Sequence, residues 1–413
     1  MTGIQQRIGA LSAPQRELLA LRLKAAQADG KADSGVADAA AGKRVGADNG
    51  AAGPGGRRGR DLKWSLFFFA SSDSDSARTH YELVRECARF ADSHDFEAIW
   101  LPERHFDPFG APYPSPAVLA ASVAAITERL QVRAGSVVLP LHDALRVAED
   151  WAVVDNLSGG RAGVSFASGW HANDFVFAPD AYETRKKVLL DKLAEVRQLW
   201  AGNPVTRTDG AGRRIEVRAY PVPLRGTLPQ WITSSSRPET WLTGARENMN
   251  VLTGLMEQTI GEVADKVEAY HEELAATGRD PQQREVTLMV HTFIGSDPAQ
   301  VRATVHDPLV AYLRSHIELF AKLARSNDLK IDLNLVTEAD KQTLAAMAFE
   351  RYFSTHGLFG TPQTALPTVQ RFSAAGVTEI ACLVDFGVPA DRVLAGLTHL
   401  DQLRAAAVSC LPA

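Results

Sequence analysis

The sequence predicts a (β/α)8 TIM barrel with a helical insertion before the eighth strand and a flexible N-terminal extension. Eight short apolar runs recur between residues 61 and 413, and a helical stretch follows each of them. The runs lack the polar alternation of half-exposed strands, as burial on both faces requires. The competing architecture, a doubly wound open sheet, usually marks its first βα turn with G-x-G-x-x-G; here Ala70 is followed by SSDSDSAR.

Residues 1–60 stand apart. Ser12 is an N-cap with Pro14 in the first turn and Gln15 in capping-box register; Leu18, Leu21 and Ala25 follow at helical spacing. The pattern stops at Asp29-Gly30. Residues 30–60 hold almost no large apolar side chain, too little to offset their ordering entropy, and read as a flexible linker. The short helix is then either an appendage that packs elsewhere or a frayed extension.

The barrel domain, residues 61–413, is justified element by element. Residues 64–70 (WSLFFFA) form the first strand, and 77–93 an amphipathic helix with Leu83, Val84, Cys87 and Phe90 on one face. The second strand, 98–101 (AIWL), is stopped by Pro102, which has no N–H for a ladder; a helix follows over 116–129. The third strand is 132–139, and its helix, 144–157, ends at Gly159-Gly160. The fourth strand is 161–167, with a helix over 182–200. Residues 206–223 are polar and carry Asp209-Gly210, a hairpin excursion. The fifth strand, 229–234, leads to a helix from Pro238, and the sixth, 249–253, to a helix over 260–276. The seventh is 286–294, followed by the insertion over 298–353 and a helix starting at Thr361-Pro362. The eighth strand, 378–386, precedes the last helix, 389–407.

Composition narrows the function classes. A net charge of −5 argues against a nucleic-acid partner. Three cysteines, none in a CxxC or CxxH pattern, suit a reducing cytoplasm and disfavour a structural zinc site. No apolar run approaches the roughly 20 residues that cross a bilayer. The start, MTGIQQRIGAL, lacks the basic segment and apolar block of a secretory signal.

In a barrel the strand tails share one mouth, where active sites sit. The tails carry Glu103, Arg104, His105 and Phe106; Gly135-Ser136; His142; Ser168-Gly169-Trp170-His171; Thr233 to Ser236; Thr253; and His291. Read locally, Glu103 and Arg104 are a surface ion pair and His105 a satisfied hydrogen-bonder; read with the barrel, they are catalytic candidates. Carboxylates are scarce, which speaks against paired-carboxylate glycosidase chemistry. Thr233 to Ser236 precede a helix start, where hydroxyls and free N–H groups suit an anion, with Arg146 able to add a charge. The local alternative makes the serines caps and pairs Arg146 with Glu149 or Asp150. Trp170 beside Gly169 offers an aromatic wall, fit for a flat, phosphorylated aromatic cofactor.

WLPERHF, GSVVLP followed by LRVAEDWAVVDNLSGGRAGVSFASGWHANDF, and PQWITSSSRPETW followed by NVLTGLMEQTI together resemble the bacterial luciferase-like flavin monooxygenases. The third-to-fourth-strand block resembles the subgroup of polyketide and non-ribosomal peptide biosynthesis. SAPQRELLALRLKAA resembles linker helices beside carrier and condensation modules. The resemblance implies an enzyme that binds reduced FMN in the barrel mouth and activates O2 as a flavin hydroperoxide, oxygenating an acyl or peptidyl intermediate, either free or carrier-bound. It implies His105 as the active-site proton donor or acceptor and Glu103 beside the flavin, both assigned as catalytic. Gly135 and Ser136 would meet the ring face at a bulge that often holds a cis peptide. Arg146 and Ser235, with Ser234, would take the phosphate, and Ser168, Trp170 and Thr253 would line the remaining wall. Ser234-Ser235-Ser236-Arg237 departs from the Ala-Ala-Gly usual there, which makes Arg237 a candidate additional phosphate ligand. Phe67, Phe69, Trp100, Phe106 and Trp170 would exclude water from the mouth. A separate flavin reductase, no metal, a homodimer and a cytoplasmic location complete the expectation. Deazaflavin-dependent hydride transfer and a non-catalytic flavin-binding scaffold are the rival readings.

Overall fold

The structure, a computed structural model, describes residues 62–69, 76–107, 110, 112–326, 346 and 349–410. The expected N-terminal helix and linker lie outside the described residues, as do Ser71 and Ser72. Among the described residues, eight parallel strands close into a barrel. In sequence they are β1 (Lys63–Phe67), β2 (Ala98–Leu101), β3 (Gln131–Val138), β4 (Ala162–Ala167), then, beyond a hairpin of β5 (Val205–Thr208) and β6 (Arg214–Val217), β7 (Gln230–Thr233), β8 (Asn250–Gly254), β9 (Val286–Ile294) and β11 (Glu379–Leu383). A short β10 (Leu358–Gly360) adds to β9 from outside the ring. Closure comes from β1 pairing with β11 and β9 pairing with both β8 and β11, all parallel.

The helices are α1 (Ala77–Ser93), α2 (Pro116–Ala124), α3 (Ala144–Ser158), α4 (Arg185–Trp200), α5 (Pro238–Arg246), α6 (Ile260–Ala276), α7 (Pro298–Ser326), α8 (Pro362–Ala374) and α9 (Ala390–Cys410). Their apolar faces cover the strands; on α1 these are Leu83, Val84, Cys87, Ala88 and Ala91. Each buried Leu, Val or Phe contributes about 1.5–3 kcal/mol by leaving water. The insertion before the last barrel strand begins as α7, where it was expected. No helix among the described residues is long and apolar enough to cross a membrane.

Two helix boundaries differ from the sequence expectation for physical reasons. Helix α2 stops at Ala124, not residue 129, because the Arg161 guanidinium takes the carbonyls of Ala124, Thr127 and Leu130 at 3.3, 2.8 and 2.6 Å. The charged fork thus serves as the C-terminal cap. Helix α4 starts at Arg185, after 3-10 turns over Ala172–Phe177 and Pro179–Ala181. Helix α3 ends as expected: Gly159 takes φ 69° and Gly160 N–H closes on Asp155 O at 2.8 Å.

The barrel floor holds a buried charged layer. Glu379, the first residue of β11, accepts from Ser65 Oγ at 2.5 Å, Trp100 Nε1 at 2.9 Å and Arg133 Nη1 at 2.8 Å. Arg133 lies between the indoles of Trp100 and Trp231, 5.1 and 4.5 Å from their ring centres. Burial pushes the Glu379 carboxyl up, but Arg133 and the surrounding donors hold it below its ordinary value. Trp100 therefore corrects one expectation. It was placed in the mouth wall, yet its indole points into this floor, because its N–H needs a buried acceptor and finds one in Glu379.

Candidate active site

The tails of β2, β3, β4, β7 and β8 are neighbours in the sheet, so their loops form one continuous arc of the mouth. Pro102 ends β2 and releases residues 102–105 from the ladder. Glu103 turns inward and is 6% exposed. Its Oε1 is shared by two imidazoles, His105 Nε2 at 2.8 Å and His142 Nε2 at 2.6 Å; its Oε2 accepts the Val138 N–H at 2.9 Å. His142 is delivered by a 3-10 turn, Leu139–Leu141, after β3. Lys192 fixes that turn by donating to the carbonyls of Pro140 and His142 at 3.1 and 2.5 Å.

Burial pushes the Glu103 carboxyl up, but the hydrogen bonds from His105, His142 and Val138 outweigh it and hold the group below its ordinary value of 4.5. An ionised carboxylate only accepts, so both Nε2 atoms carry their protons. Nδ1 of His105 has no partner among the described residues. That leaves one nitrogen able to give or take a proton at a bound reactant. The three groups also place ligand atoms within 4.8 Å of one another, a set that could hold a cation, although no metal was expected.

Aromatic rings surround this triad. His105 lies edge-on to Phe177 at 5.0 Å, and Phe106 sits 5.2 Å from the same ring. Phe106 holds φ 53°, a region bulky residues seldom adopt. Trp170 covers the Arg104 guanidinium at 5.2 Å. Gly169 takes φ 78°, and a Cβ there would meet the Phe175 ring at 2.8 Å, so only glycine lets the chain present Trp170.

Further round the arc, the Gly135–Ser136 peptide is cis and the β3–β4 register shifts between Gly135 and Val137. A Cβ on Gly135 would approach Phe67 Cε2 at 2.7 Å. Ser136, Thr233 and Ser165 form a line of hydroxyls across β3, β7 and β4, with Thr233 bonded to both serines and 2.6 Å from Ser165. The line leads to Ser234, buried, and Ser235, exposed, ahead of α5. Thr253 donates to Ser235 O at 3.3 Å and accepts from Gln258 Nε2 at 2.8 Å. Ser168 is half-buried at the end of β4.

The two arginines assigned to the phosphate differ in their pairing. Arg146 is 70% exposed and pairs within its own helix with Asp150 at 2.8 Å and Glu149 at 3.8 Å. Arg237 is the exposed N-cap residue of α5, and its side chain pairs with no described residue. A cofactor phosphate would meet three serines, a cation and the N–H groups opening a nine-residue helix at this corner, after displacing the bonds that Ser236 Oγ gives to the Glu257 carboxylate at 3.1 Å and Ser234 Oγ gives to Arg237 O at 3.4 Å. Gln258 Oε1, buried and without a donor, adds an acceptor beside Thr253.

Sequence reasoning gave no role to His142, Asp174 or Gln258, and the local pairing of Glu103 with Arg104 at the surface does not form: both are buried, Glu103 against two imidazoles and Arg104 toward Asp174. His142 and Arg104 were visible as polar residues at strand tails. Nothing local indicated that Glu103 would be shared across two strands.

Residues 61–379 match the family model for luciferase-like monooxygenases. A flavin-dependent trigonelline monooxygenase, oxygenase component, of Acinetobacter baylyi is 21% identical over 346 residues, 82% of this chain and 93% of that protein. The 4-hydroxyprotoasukamycin monooxygenase of Streptomyces nodosus subsp. asukaensis is 30% identical over 156 residues, 37% of this chain and 42% of its own. Among solved structures, the oxygenating constituent of 3,6-diketocamphane monooxygenase of Pseudomonas putida, in complex with FMN, superposes with a TM-score of 0.69 at 15% identity, covering 85% of this chain and 99% of that one. The chain belongs to the luciferase-like monooxygenase family and is a flavin-dependent monooxygenase.

Proposed function

We propose that the protein is the oxygenase of a two-component system, taking reduced FMN from a separate reductase and using O2 to hydroxylate, or insert oxygen into, an acyl or peptidyl natural-product intermediate. The observation that carries this reading is the Glu103 carboxylate bridging His105 and His142 beside the Gly135–Ser136 bulge. Bound FMN would supply the electrons for O2 reduction. Ser234, Ser235, Ser236 and Arg237 would hold its phosphate, and Gly135, Ser136, Ser168 and Thr253 would face the remainder. Glu103 fixes the orientation of His105, and His105 Nδ1 exchanges a proton with the reacting oxygen. Phe106, Trp170 and Phe177 limit water, which a reactive oxygen species in the mouth requires.

A separate reductase is favoured by the absence of a dinucleotide fingerprint in the sequence and by the name of the Acinetobacter relative, an oxygenase component. The asukamycin-type relative supports a place in natural-product chemistry, and a carrier-tethered substrate extends that reading. Anaerobic titration with reduced FMN, then with a reduced deazaflavin, each followed by oxygen uptake, tests the cofactor. Tight binding of FMN with oxygen consumption is expected. Preference for the deazaflavin without oxygen uptake would make the protein a hydride-transfer enzyme, and binding of FMN with no effect on its oxidation would make it a scaffold.

A further inference from the structure

Three arginines among the described residues are at least nine-tenths buried, and two of them donate to acidic or carbonyl partners. Arg133 donates to Glu379 and Glu97. Arg161 donates from Nε and both terminal nitrogens to carbonyls and to Thr127 Oγ1. Arg104 is 3% exposed, yet its Nε and Nη2 have no hydrogen-bond partner among the described residues. The one carboxylate within ion-pair reach among the described residues, Asp174, lies 3.6 Å from Nη1, beyond hydrogen-bonding distance, and its Oδ1 accepts from His171 Nδ1 at 3.1 Å. Stacking against Phe69 and Trp170, at 5.9 and 5.2 Å, attracts the cation but satisfies no N–H. Leaving such donors unmet in a buried site costs stability. The placement is nonetheless built: Gly110 at φ 83° leaves space for the arginine stem, where a Cβ would meet Arg104 Cγ at 2.6 Å.

The 3-10 turn Ala172–Phe177 that brings Asp174 to this cation also carries Val176 and Phe177, which with Phe106 make an apolar shelf. Phe106, Val176 and Phe177 are 58, 69 and 55% exposed, and the two rings flank His105. We infer that Arg104 is a substrate-binding residue that takes a carboxylate through Nε and Nη2, while the apolar body of the same molecule lies on the Phe106–Phe177 shelf next to His105. The inference rests on reading this mouth as the oxygenation site. The edge of a guanidinium that presents Nε and one terminal nitrogen matches the two oxygens of a carboxylate. Asp174 favours a monoanion over a dianionic phosphate, because each added negative charge there is repelled. The substrate is thus an amphipathic acid. A free acid meets the requirement directly; a carrier-bound thioester meets it only through a second acidic group.

Calorimetric titration of the flavin-free protein with phenylacetate and with phenylacetamide tests this without turnover. The wild type is expected to bind the acid about tenfold tighter than the amide, a difference one charge-assisted bidentate contact readily supplies. Arg104→Gln removes that preference. Asp174→Asn, which keeps the shape and the His171 contact, strengthens acid binding severalfold and leaves the amide unchanged. FMN affinity, measured separately, is unchanged in both variants, so a failure of FMN to bind the wild type is a distinct result that touches only the oxygenase reading. No preference for the acid in the wild type, including no binding of either probe, overturns the inference. So does an Asp174→Asn protein whose acid affinity does not rise, or an Arg104→Gln protein that loses FMN.

Discussion

Glu103→Gln probes the centre of the site with one atom exchanged. In the wild type Oε1 serves two imidazole donors and Oε2 serves the Val138 N–H, at 2.8, 2.6 and 2.9 Å. A glutamine has one acceptor oxygen. If that oxygen faces the imidazoles, its NH2 opposes the Val138 N–H; if it is flipped, its NH2 opposes both rings. Either way at least one buried donor loses its partner, at about 1–3 kcal/mol, and the remaining bonds lose their charge assistance, so we expect a total loss of about 2–4 kcal/mol at neutral pH. The pH dependence has a definite sign. The folded carboxyl titrates below its ordinary value of 4.5, so its contribution is complete above that value and fades as pH falls through the folded pKa. Urea unfolding followed by tryptophan fluorescence should therefore show a gap between wild type and variant at neutral pH that narrows in acid. Product yield per flavin oxidised should fall by about 10²-fold or more, the usual scale for a disabled proton-transfer group. Equal stability at neutral pH, or a gap that does not narrow in acid, would refute the reasoning.

Three further outcomes can be checked with single variants. His142→Ala should reduce coupled oxygenation less than His105→Ala does, since His142 acts by sharing Glu103; equal losses would give it a direct role. Gly135→Ala would push a methyl toward Phe67 Cε2 at 2.7 Å and Trp100 Cε3 at 3.2 Å, so it should cost about 1–3 kcal/mol of stability and weaken FMN binding, read by urea unfolding and flavin fluorescence. Glu379→Ala strands Arg133 without its nearest anion in the floor, and urea unfolding should report a loss of about 3–5 kcal/mol.

The barrel was legible because burial on both faces leaves runs such as VTLMVHTFI without polar alternation, and because Pro102 and Gly159-Gly160 mark ends that backbone chemistry enforces. Features that depend on distant partners were not. Helix α2 ends early because of Arg161, which lies 37 residues beyond Ala124. Trp100 reads as one more aromatic in an apolar strand until Glu379 appears beneath it, 279 residues away. The ERHF segment announced a site but not its arrangement, since Glu103 meets His142 only when β2 and β3 pair. For Arg146, the i,i+4 spacing to Asp150 was visible in the sequence, and in the structure that local pair forms.

A crystal structure of the protein with FMN would test the central claim most directly. The account predicts the phosphate within hydrogen-bonding distance of the Ser234–Ser236 hydroxyls and the start of α5, the ring against Gly135 and Ser136, and its reactive edge facing His105. A flavin bound elsewhere, or held with its ring turned away from Glu103, His105 and His142, would contradict it.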